Sequence, residues 1–168
     1  ILSVAVVHEF LSTQEARVIN IREVSQRIIN QMRQGVLDPS KPIRFDLRGP
    51  NLYLPAQQAT ACALVVSELL QNAVEHGYQR KESGGTVTVY LRDEGDSVAI
   101  EVIDDGGGLP LDFDLSQDGS LGLRIVRTLI QDDLKGQFDL KDINGGTAAI
   151  VAFPKLPLGG EEFWTEYE

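Results

Sequence analysis

The chain has 168 residues, of which 42% are apolar and 24% charged, and this composition predicts one globular domain with a sizeable core. Its net charge of −10 at pH 7 argues against nucleic acid as a partner, because nucleic-acid binding depends on basic surfaces. A single cysteine excludes an internal disulfide, and one cysteine with two histidines cannot form a structural zinc site. No apolar run approaches the roughly 18 residues of a membrane helix, so we predict a cytoplasmic protein.

The opening segment, "ILSVAVVHEF", is already apolar and does not begin with Met, so we interpret the sequence as a piece of a longer protein. It predicts part of a helix that pairs with a segment outside this chain. Residues 17–35 then carry apolar side chains three and four positions apart, from Ile21 to Met32, which predicts an amphipathic helix that ends near Gly35. The alternation in "IRFDLRG" predicts a half-buried strand.

A long helix is predicted from Pro55 to Gly77, because proline is favoured at a helix start and glycine at its end. The alternating segments "TVTVYLR" and "SVAIEVIDD", separated by "DEGD", predict an antiparallel hairpin, and "GQFDLKD" with "TAAIVAFP" predict a second one. Between the hairpins, "LGLRIVRTLIQDD" predicts a helix with Leu121, Ile125 and Leu129 on its apolar stripe. Helices grouped among antiparallel hairpins predict an α+β sandwich.

The long helix carries a polar stripe. Glu68 and Asn72 lie four residues apart and therefore on one face, which Glu75 and His76 extend. A Mg²⁺ ion bound through a substrate's phosphates needs only one or two protein oxygens, and the Asn72 amide oxygen is suitable. The Glu68 carboxylate, one turn earlier, can polarise an attacking nucleophile or hold a metal-bound water. The alternative is a solvated polar face without chemistry.

The segment "IEVIDDGGGLP" places two acids at the end of a strand and three glycines after them. Asp104 at that position can accept a hydrogen bond from an exocyclic amine, such as that of adenine, while the glycines let the backbone approach a flat ring. The alternative is a glycine-rich turn whose acids are solvated.

In "DGSLGLRIV", Gly119 and Gly122 flank the start of a helix, where unpaired N–H groups and the helix dipole favour phosphate. The alternative is an ordinary helix capped by Asp118 or Ser120. The "GGT" at residues 145–147 is a turn signal that opens the last strand.

The order of these motifs resembles the ATPase domain of the GHKL superfamily, which includes gyrase, a heat-shock chaperone, histidine kinases and mismatch-repair ATPases. ExxxN on a helix is followed by DxGxG after a strand, GxxGL before a helix and GT before a final strand, over about residues 41–154. The segments "ELLQNAVEHG", "DDGGGLP" and "GSLGLRIV" are most similar to bacterial sensor histidine kinases, and "ILSVAVVHEFLS" resembles the second dimerisation helix of the HisKA type-2 and HWE group. The resemblance implies a mixed, mostly antiparallel sheet with helices on one face.

The resemblance also implies roles for individual residues. Asn72 would bind Mg²⁺, and Glu68 would be the catalytic acidic residue that assists phosphoryl transfer. Asp104 would accept from the adenine amine, with Asp105 as a solvated neighbour. The other predicted nucleotide-binding residues are Gly106 and Gly108 where the ring approaches, Gly119, Leu121 and Gly122 at the lid hinge and phosphate cradle, Thr147 on the adenine side, and His76.

Glu75 departs from the family pattern, because many relatives carry Lys at this position, aimed at the phosphates. An acid at this position would repel a triphosphate unless its side chain turns outward or a basic residue (Arg124, His76 or Arg80) compensates its charge. The departure therefore questions catalysis more than nucleotide binding. His8 stands beside an acid, as phosphoacceptors often do, but its place on the implied second dimerisation helix favours a structural role.

We therefore predict the ATP-binding catalytic domain of a sensor histidine kinase, with ATP and Mg²⁺ as ligands. It would transfer the γ-phosphoryl group to a histidine on an upstream helix outside this chain, so this chain by itself should bind ATP without efficient autophosphorylation. A response regulator and a second copy of the full-length protein are the predicted partners, and a membrane anchor elsewhere in the full-length protein stays open.

The chain is divided into three predicted parts. Residues 1–34 are assigned to the end of the helical dimerisation region and a linker helix, 35–156 to the catalytic domain, and 157–168 to an acidic tail. Two other functions stay open at this point: an anti-sigma-factor-type serine kinase, and a nucleotide-sensing module that never transfers phosphate.

Overall fold

A computed structural model describes residues 18–35, 40, 42–78, 84–110, 112–115 and 119–158. The strands are β1 (Val18–Asn20), β2 (Ile43–Arg48), β3 (Tyr53–Pro55), β4 (Gly85–Asp93), β5 (Ser97–Asp104), β6 (Gln137–Ile143) and β7 (Gly146–Pro154). The helices are α1 (Ile21–Gln34), α2 (Ala56–Gly77) and α3 (Leu121–Thr128), and α3 continues in a π-helical turn (Leu129–Asp133). The predicted opening helix with His8, and also Arg80, Asp118 and the tail from residue 159 onwards, lie outside the described residues.

Five strands form the main sheet in the order β2-β4-β5-β7-β6. β2 runs parallel to β4, whereas the other three neighbouring pairs are antiparallel. Both predicted hairpins are therefore confirmed, and so is the mixed, mostly antiparallel sheet. A parallel pair of strands needs a crossover connection, and here β3 and α2 lie in the connection between β2 and β4.

The helices pack on one face of this sheet. Along β4, the alternate residues Val87, Val89 and Leu91 are buried, as period-two alternation requires for a strand with one face against the core. The central positions of α2 that meet them, among them Val66 and Leu70, are also fully buried. The predicted α+β sandwich is confirmed.

α2 follows the predicted long helix, since it begins directly after Pro55 and ends at Gly77. Gln58, buried near its start, joins this end of the helix to the end of β7. Its Nε2 donates to the Pro154 carbonyl at 2.8 Å, and its Oε1 accepts from the Leu156 N–H at 3.0 Å. Within the part of the chain that the structure describes, none of the helices is both long and apolar enough to cross a membrane.

The two short strands β1 and β3 were not predicted, and they pair with each other in a separate antiparallel sheet. α1 consequently begins at Ile21 rather than near residue 17. The cause is the side chain of Asn20, whose Oδ1 accepts from the N–H of Arg22 at 3.1 Å and from the N–H of Leu52 at 3.2 Å. One asparagine therefore caps the helix and holds the loop before β3.

α1 packs into the same core as the elements that follow it. Val24, Ile28 and Ile29 are buried in one cluster with α2 and the sheet. The Arg33 guanidinium also donates to the Phe45 carbonyl on β2, at 3.1 Å. The predicted boundary after residue 34 stays a prediction. It lies at the C-terminal end of α1, a helix that packs in the same core as the residues after the boundary.

The predicted apolar stripe of α3 is wrong at Leu121 and Ile125, whereas Leu129 does pack against the core. Leu121 and Ile125 are 74% and 45% exposed, whereas Leu123, Val126 and Ile130 are buried. The helix begins immediately after its cap residue at 120, and its π-helical turn starts only after residue 128, beyond both exposed residues. The face that contacts the core is set by packing against α2.

Candidate functional site

A cavity of about 680 Å³ lies between α2, the turn after β5, the start of α3 and the last two strands. Five predicted site residues line it: Asn72, His76, Asp104, Gly108 and Thr147. Its apolar walls include Leu69, Val102, Leu123, Leu140 and Ala149. A few polar groups in a mostly apolar cavity of this size are typical of a small-molecule site.

α2 connects the two ends of this cavity. At its C-terminal end, Gly77 lies against Asp104, because a Cβ atom at Gly77 would be 2.9 Å from Oδ1 of that carboxylate. Nine residues earlier, Glu68 lies against the start of α3, where a Cβ atom at Gly122 would be 2.6 Å from its Oε2. A rise of 1.5 Å per residue separates these contacts by about 13 Å, with Asn72 between them. We call the end of the cavity near Gly77 and Asp104 the turn end, and the end near Glu68 and Gly122 the α3 end.

At the turn end, the backbone after Asp104 is folded tightly onto α2. Oδ1 of Asp104, which is 5% exposed, accepts from the N–H of Gly106 at 2.9 Å. The N–H of Gly107 donates to the Gly77 carbonyl at 2.7 Å, and a Cβ atom at Gly106 would overlap that carbonyl oxygen. Gly106 is therefore required by contact with α2 and lies outside the cavity lining, whereas Gly108, with φ +74°, does line it.

Asp105 is exposed, as expected of a solvated neighbour, but two hydrogen bonds also hold its carboxylate. Its Oδ1 accepts from the Tyr78 hydroxyl at 2.5 Å and from the N–H of Thr86 at 2.9 Å. Tyr78 is buried, and it was missed from the sequence, where the available signal was an aromatic residue directly after the glycine that ends the helix. Burial, and then the hydrogen bond to Asp105, raise the pKa of Tyr78.

Thr147 stands opposite Asp104 in the register of β5 and β7. The strand approaches closely here, because a Cβ atom at Gly146, whose φ is +154°, would overlap the carbonyl oxygen of Asp104. Both residues line the cavity, so the predicted "GT" motif lies beside the acid of the predicted base site.

The α3 end differs from its prediction in detail. Ser120 is the cap of α3, since its Oγ accepts from the N–H of Leu123 at 3.3 Å, and both residues line the cavity. Among the described residues, Gly119, Leu121 and Gly122 stand outside that lining, and so does Glu68. Gly122 instead lies against the Glu68 carboxylate, and the predicted phosphate cradle stays a prediction.

Asn72 presents a polar atom without a partner. Its Nδ2 is buried and makes no hydrogen bond within the described part of the chain, which is costly unless a ligand supplies one. Among the described residues, no group of three or more His, Cys, Asp or Glu side chains is arranged to hold a metal ion. The unpaired Nδ2 can donate to an acceptor on a ligand, such as a phosphate oxygen, and the amide oxygen suits a Mg²⁺ ion whose other ligands are phosphate oxygens and water.

Glu75 and His76 are adjacent but face different ways. The Glu75 side chain is exposed and accepts from Nε2 of Gln71 at 3.0 Å, one turn earlier on the outer face of α2. Glu75 does not line the cavity, whereas His76 does. The acid that departs from the family pattern therefore points away from the place where phosphates are predicted.

The chain matches the family described as histidine kinase-, DNA gyrase B-, and HSP90-like ATPase over residues 57–158. It is 37% identical over 160 residues to the sensor histidine kinase PdtaS of Mycolicibacterium smegmatis, covering 95% of this chain and 31% of that protein. It is 35% identical over 129 residues to blue-light-activated histidine kinase 2 of Erythrobacter litoralis, covering 75% of this chain and 35% of that protein. The chain thus spans about a third of the length of these relatives.

Solved structures share the fold. The histidine kinase domain from Erythrobacter litoralis EL346 blue-light activated histidine kinase superposes with a TM-score of 0.80 at 24% identity, covering 99% of this chain and 76% of that one. The catalytic domain of histidine kinase ThkA superposes with a TM-score of 0.69 at 21% identity, covering 86% of this chain and 99% of that one. At these identities the likeness speaks for the fold alone.

Proposed function

Because this chain belongs to the family of histidine kinase-, DNA gyrase B- and HSP90-like ATPases and carries an ATPase domain of the sensor histidine kinase type, we propose that it binds ATP in the cavity beside α2 and supplies its γ-phosphoryl group to a histidine of the full-length protein. The phosphoryl-transfer activity of the full-length protein is part of this proposal, because the chain covers only 31% of the length of PdtaS.

One observation carries this proposal: Asp104 and Asn72 line a single cavity, although 32 positions separate them in the sequence. A carboxylate recognises the amine of a purine, and an amide oxygen is a ligand for the ion that accompanies its phosphates. The apolar walls between them suit the faces of a flat ring.

The turn end would hold the base. Asp104 accepts a hydrogen bond from the adenine amine, with Thr147 beside it and the backbone of Gly108 along the ring. His76 lines the same cavity and contacts the nucleotide from α2.

The α3 end would hold the phosphates. Asn72 would hold Mg²⁺, and the ion would supply positive charge against the phosphates. Glu68, on α2 against the start of α3, would orient the approaching imidazole and take its proton. The reaction joins the γ-phosphorus to an imidazole nitrogen and releases ADP.

The acceptor histidine would lie on a preceding helix of the full-length protein. We propose that the full-length protein is a homodimer and that its catalytic part is cytoplasmic. A solved structure contains histidine kinase ThkA in complex with the response regulator protein TrrA. By analogy, we propose a response regulator as the protein that receives the phosphoryl group from the acceptor histidine.

The two alternative functions have less support. Similarity to sensor histidine kinases extends over 95% of the chain, beyond the ATPase core that an anti-sigma-factor-type kinase would share. The nucleotide-sensing module without transfer was suggested by Glu75, and the outward position of that side chain removes the expected repulsion of the phosphates.

The test is a titration of this chain with ATP, with and without Mg²⁺. We expect Asp104→Asn to weaken ATP binding by about tenfold to a hundredfold, because a buried hydrogen bond to a charged group is worth roughly 1.5–3 kcal/mol. Asp139→Asn, an exposed acid on β6 outside the cavity, is the matched control and should bind ATP like the wild type. Equal affinities for the wild type and Asp104→Asn would contradict the proposed site.

A further inference from the structure

We propose that Tyr78 is a positioning residue for Asp104 and acts through Asp105. The inference rests on the proposed function, in which Asp104 recognises the adenine amine. Tyr78 itself does not line the cavity among the described residues, so its effect on a nucleotide passes through the turn after β5.

The Tyr78 hydroxyl is held in a fixed place. Tyr78 is 2% exposed, and its oxygen lies 2.5 Å from Oδ1 of Asp105 and 2.8 Å from the carbonyl oxygen of Thr86. Both neighbours are acceptors and share the one hydroxyl proton, and the hydroxyl oxygen itself accepts from the N–H of Asp105 at 3.4 Å. A short hydrogen bond to a carboxylate is among the stronger ones in proteins.

Asp105 joins three elements. Its Oδ1 accepts from Tyr78 after α2 and from the N–H of Thr86 on β4, while its backbone follows β5 directly. A Cβ atom at Gly85 would overlap the same oxygen, so β4 begins with a glycine where the carboxylate enters. The end of α2 and the start of β4 are thereby joined through one carboxylate.

Asp104 and Asp105 are neighbours in the chain and face opposite sides. Asp104 faces the cavity from the end of β5, and Asp105 faces β4. The peptide bond between them is planar, so anchoring the second side chain restricts the direction in which the first one leaves the backbone. On the other side, Asp104 is held by its register with Thr147 and by the N–H of Gly106.

Recognition of an amine depends on this direction. A hydrogen bond weakens steeply once its angle departs from linearity, so a carboxylate that turns discriminates less well between bases. Adenine presents an amine at its sixth position, and hypoxanthine presents a carbonyl oxygen there, which a carboxylate repels. The ratio of affinities for ATP and inosine triphosphate therefore reports the orientation of Asp104.

The experiment compares this ratio in the wild type and in Tyr78→Phe. We expect a decrease of the ratio by about threefold to tenfold, since part of one charge-assisted hydrogen bond is lost. A tyrosine with a purely structural role would change stability, or both affinities equally, and leave the ratio as it is. Tyr90→Phe is the matched control, because Tyr90 lies half-buried under Arg48 on the opposite face of the sheet.

Substitutions at Asp105 test the same inference if Tyr78→Phe folds poorly. Asp105→Ala removes the acceptor and should lower the ratio, while Asp105→Asn keeps an oxygen for both donors and should lower it less. An unchanged ratio in both Tyr78→Phe and Asp105→Ala would overturn the inference.

The inference and the proposed function can fail separately. A wild type without a preference for ATP, or a preference that survives in Asp104→Asn, would contradict the role of Asp104 in base recognition. A wild-type preference that depends on Asp104 but not on Tyr78 or Asp105 would contradict the positioning role alone.

Discussion

The two ends of the cavity are built differently. At the turn end, side chains and backbone are joined by short hydrogen bonds before any ligand is present: Tyr78 to Asp105, Gly107 to Gly77 and Gly106 to Asp104. At the α3 end, the Asn72 amide has a buried nitrogen without a partner among the described residues, and Leu121 is 74% exposed. A preorganised end suits a rigid base, and an end with unused hydrogen-bonding capacity suits phosphates and an ion that supply the missing contacts.

Gly106→Ala should break the turn end and produce the largest effect. The added Cβ overlaps the Gly77 carbonyl, so the turn must separate from α2. We expect a loss of unfolding free energy of about 3 kcal/mol, as for other overpacked sites, together with loss of ATP binding. Urea unfolding and nucleotide titration measure both.

Gly107→Ala is the control for that prediction. Its Cβ would meet the Gly77 oxygen at 3.9 Å, an ordinary contact, so stability should stay close to that of the wild type. If the two alanine variants unfold at the same urea concentration, the close packing of the turn on α2 is not what stabilises this end.

Asn72→Ala separates the α3 end from the turn end. The increase in ATP affinity on addition of Mg²⁺ should disappear, while affinity without Mg²⁺ stays close to that of the wild type. Stability should change by less than about 1 kcal/mol, because the substitution removes a buried nitrogen that has no partner. Equal losses with and without Mg²⁺ would place Asn72 in contact with the nucleotide rather than the ion.

The pH dependence of stability tests the hydrogen bond between Tyr78 and Asp105 at the turn end. Burial and Asp105 raise the pKa of Tyr78 above its ordinary value of 10, so the folded state holds the proton more tightly than the unfolded state. The stabilisation is therefore complete below pH 10 and decreases as the pH rises above it. The difference in melting temperature between the wild type and Tyr78→Phe should narrow above pH 10. A constant difference from pH 7 to 11 would contradict the hydrogen bond between Tyr78 and Asp105.

Glu75→Lys should have the smallest effect, since Glu75 lies on the outer face of α2, bonded to Gln71. We expect ATP affinity not to fall, because the side chain at this position is exposed, points away from the predicted phosphate site and is screened by solvent and salt. A clear loss of affinity in the titration would show that Glu75 has a positive role in binding. Gln71→Ala, which leaves the charge of Glu75 in place, separates a charge effect from loss of the side-chain hydrogen bond.

Periodicity along the chain was sufficient for the larger elements. Alternation in β4, β5 and β7 and the apolar pattern of α2 predicted a sandwich with two hairpins, which the structure confirms. β1 and β3, with three residues each, are too short to show a period, and they exist because they pair with each other. The face of α3 that contacts the core was also out of reach, since packing on α2 decides it.

The site divides in the same way. The motifs ExxxN, DxGxG and the later glycines are local patterns, so the sequence alone determined which functional residue types are present and in which order. From these motifs Asp104 and Asn72 could be selected as site residues. Only the tertiary structure decided that Gly106 faces α2, that Gly122 meets Glu68, and that Tyr78 bonds to Asp105. These contacts join residues that are distant in the chain, and a hydrogen bond or a steric overlap depends on positions in space that no local pattern encodes.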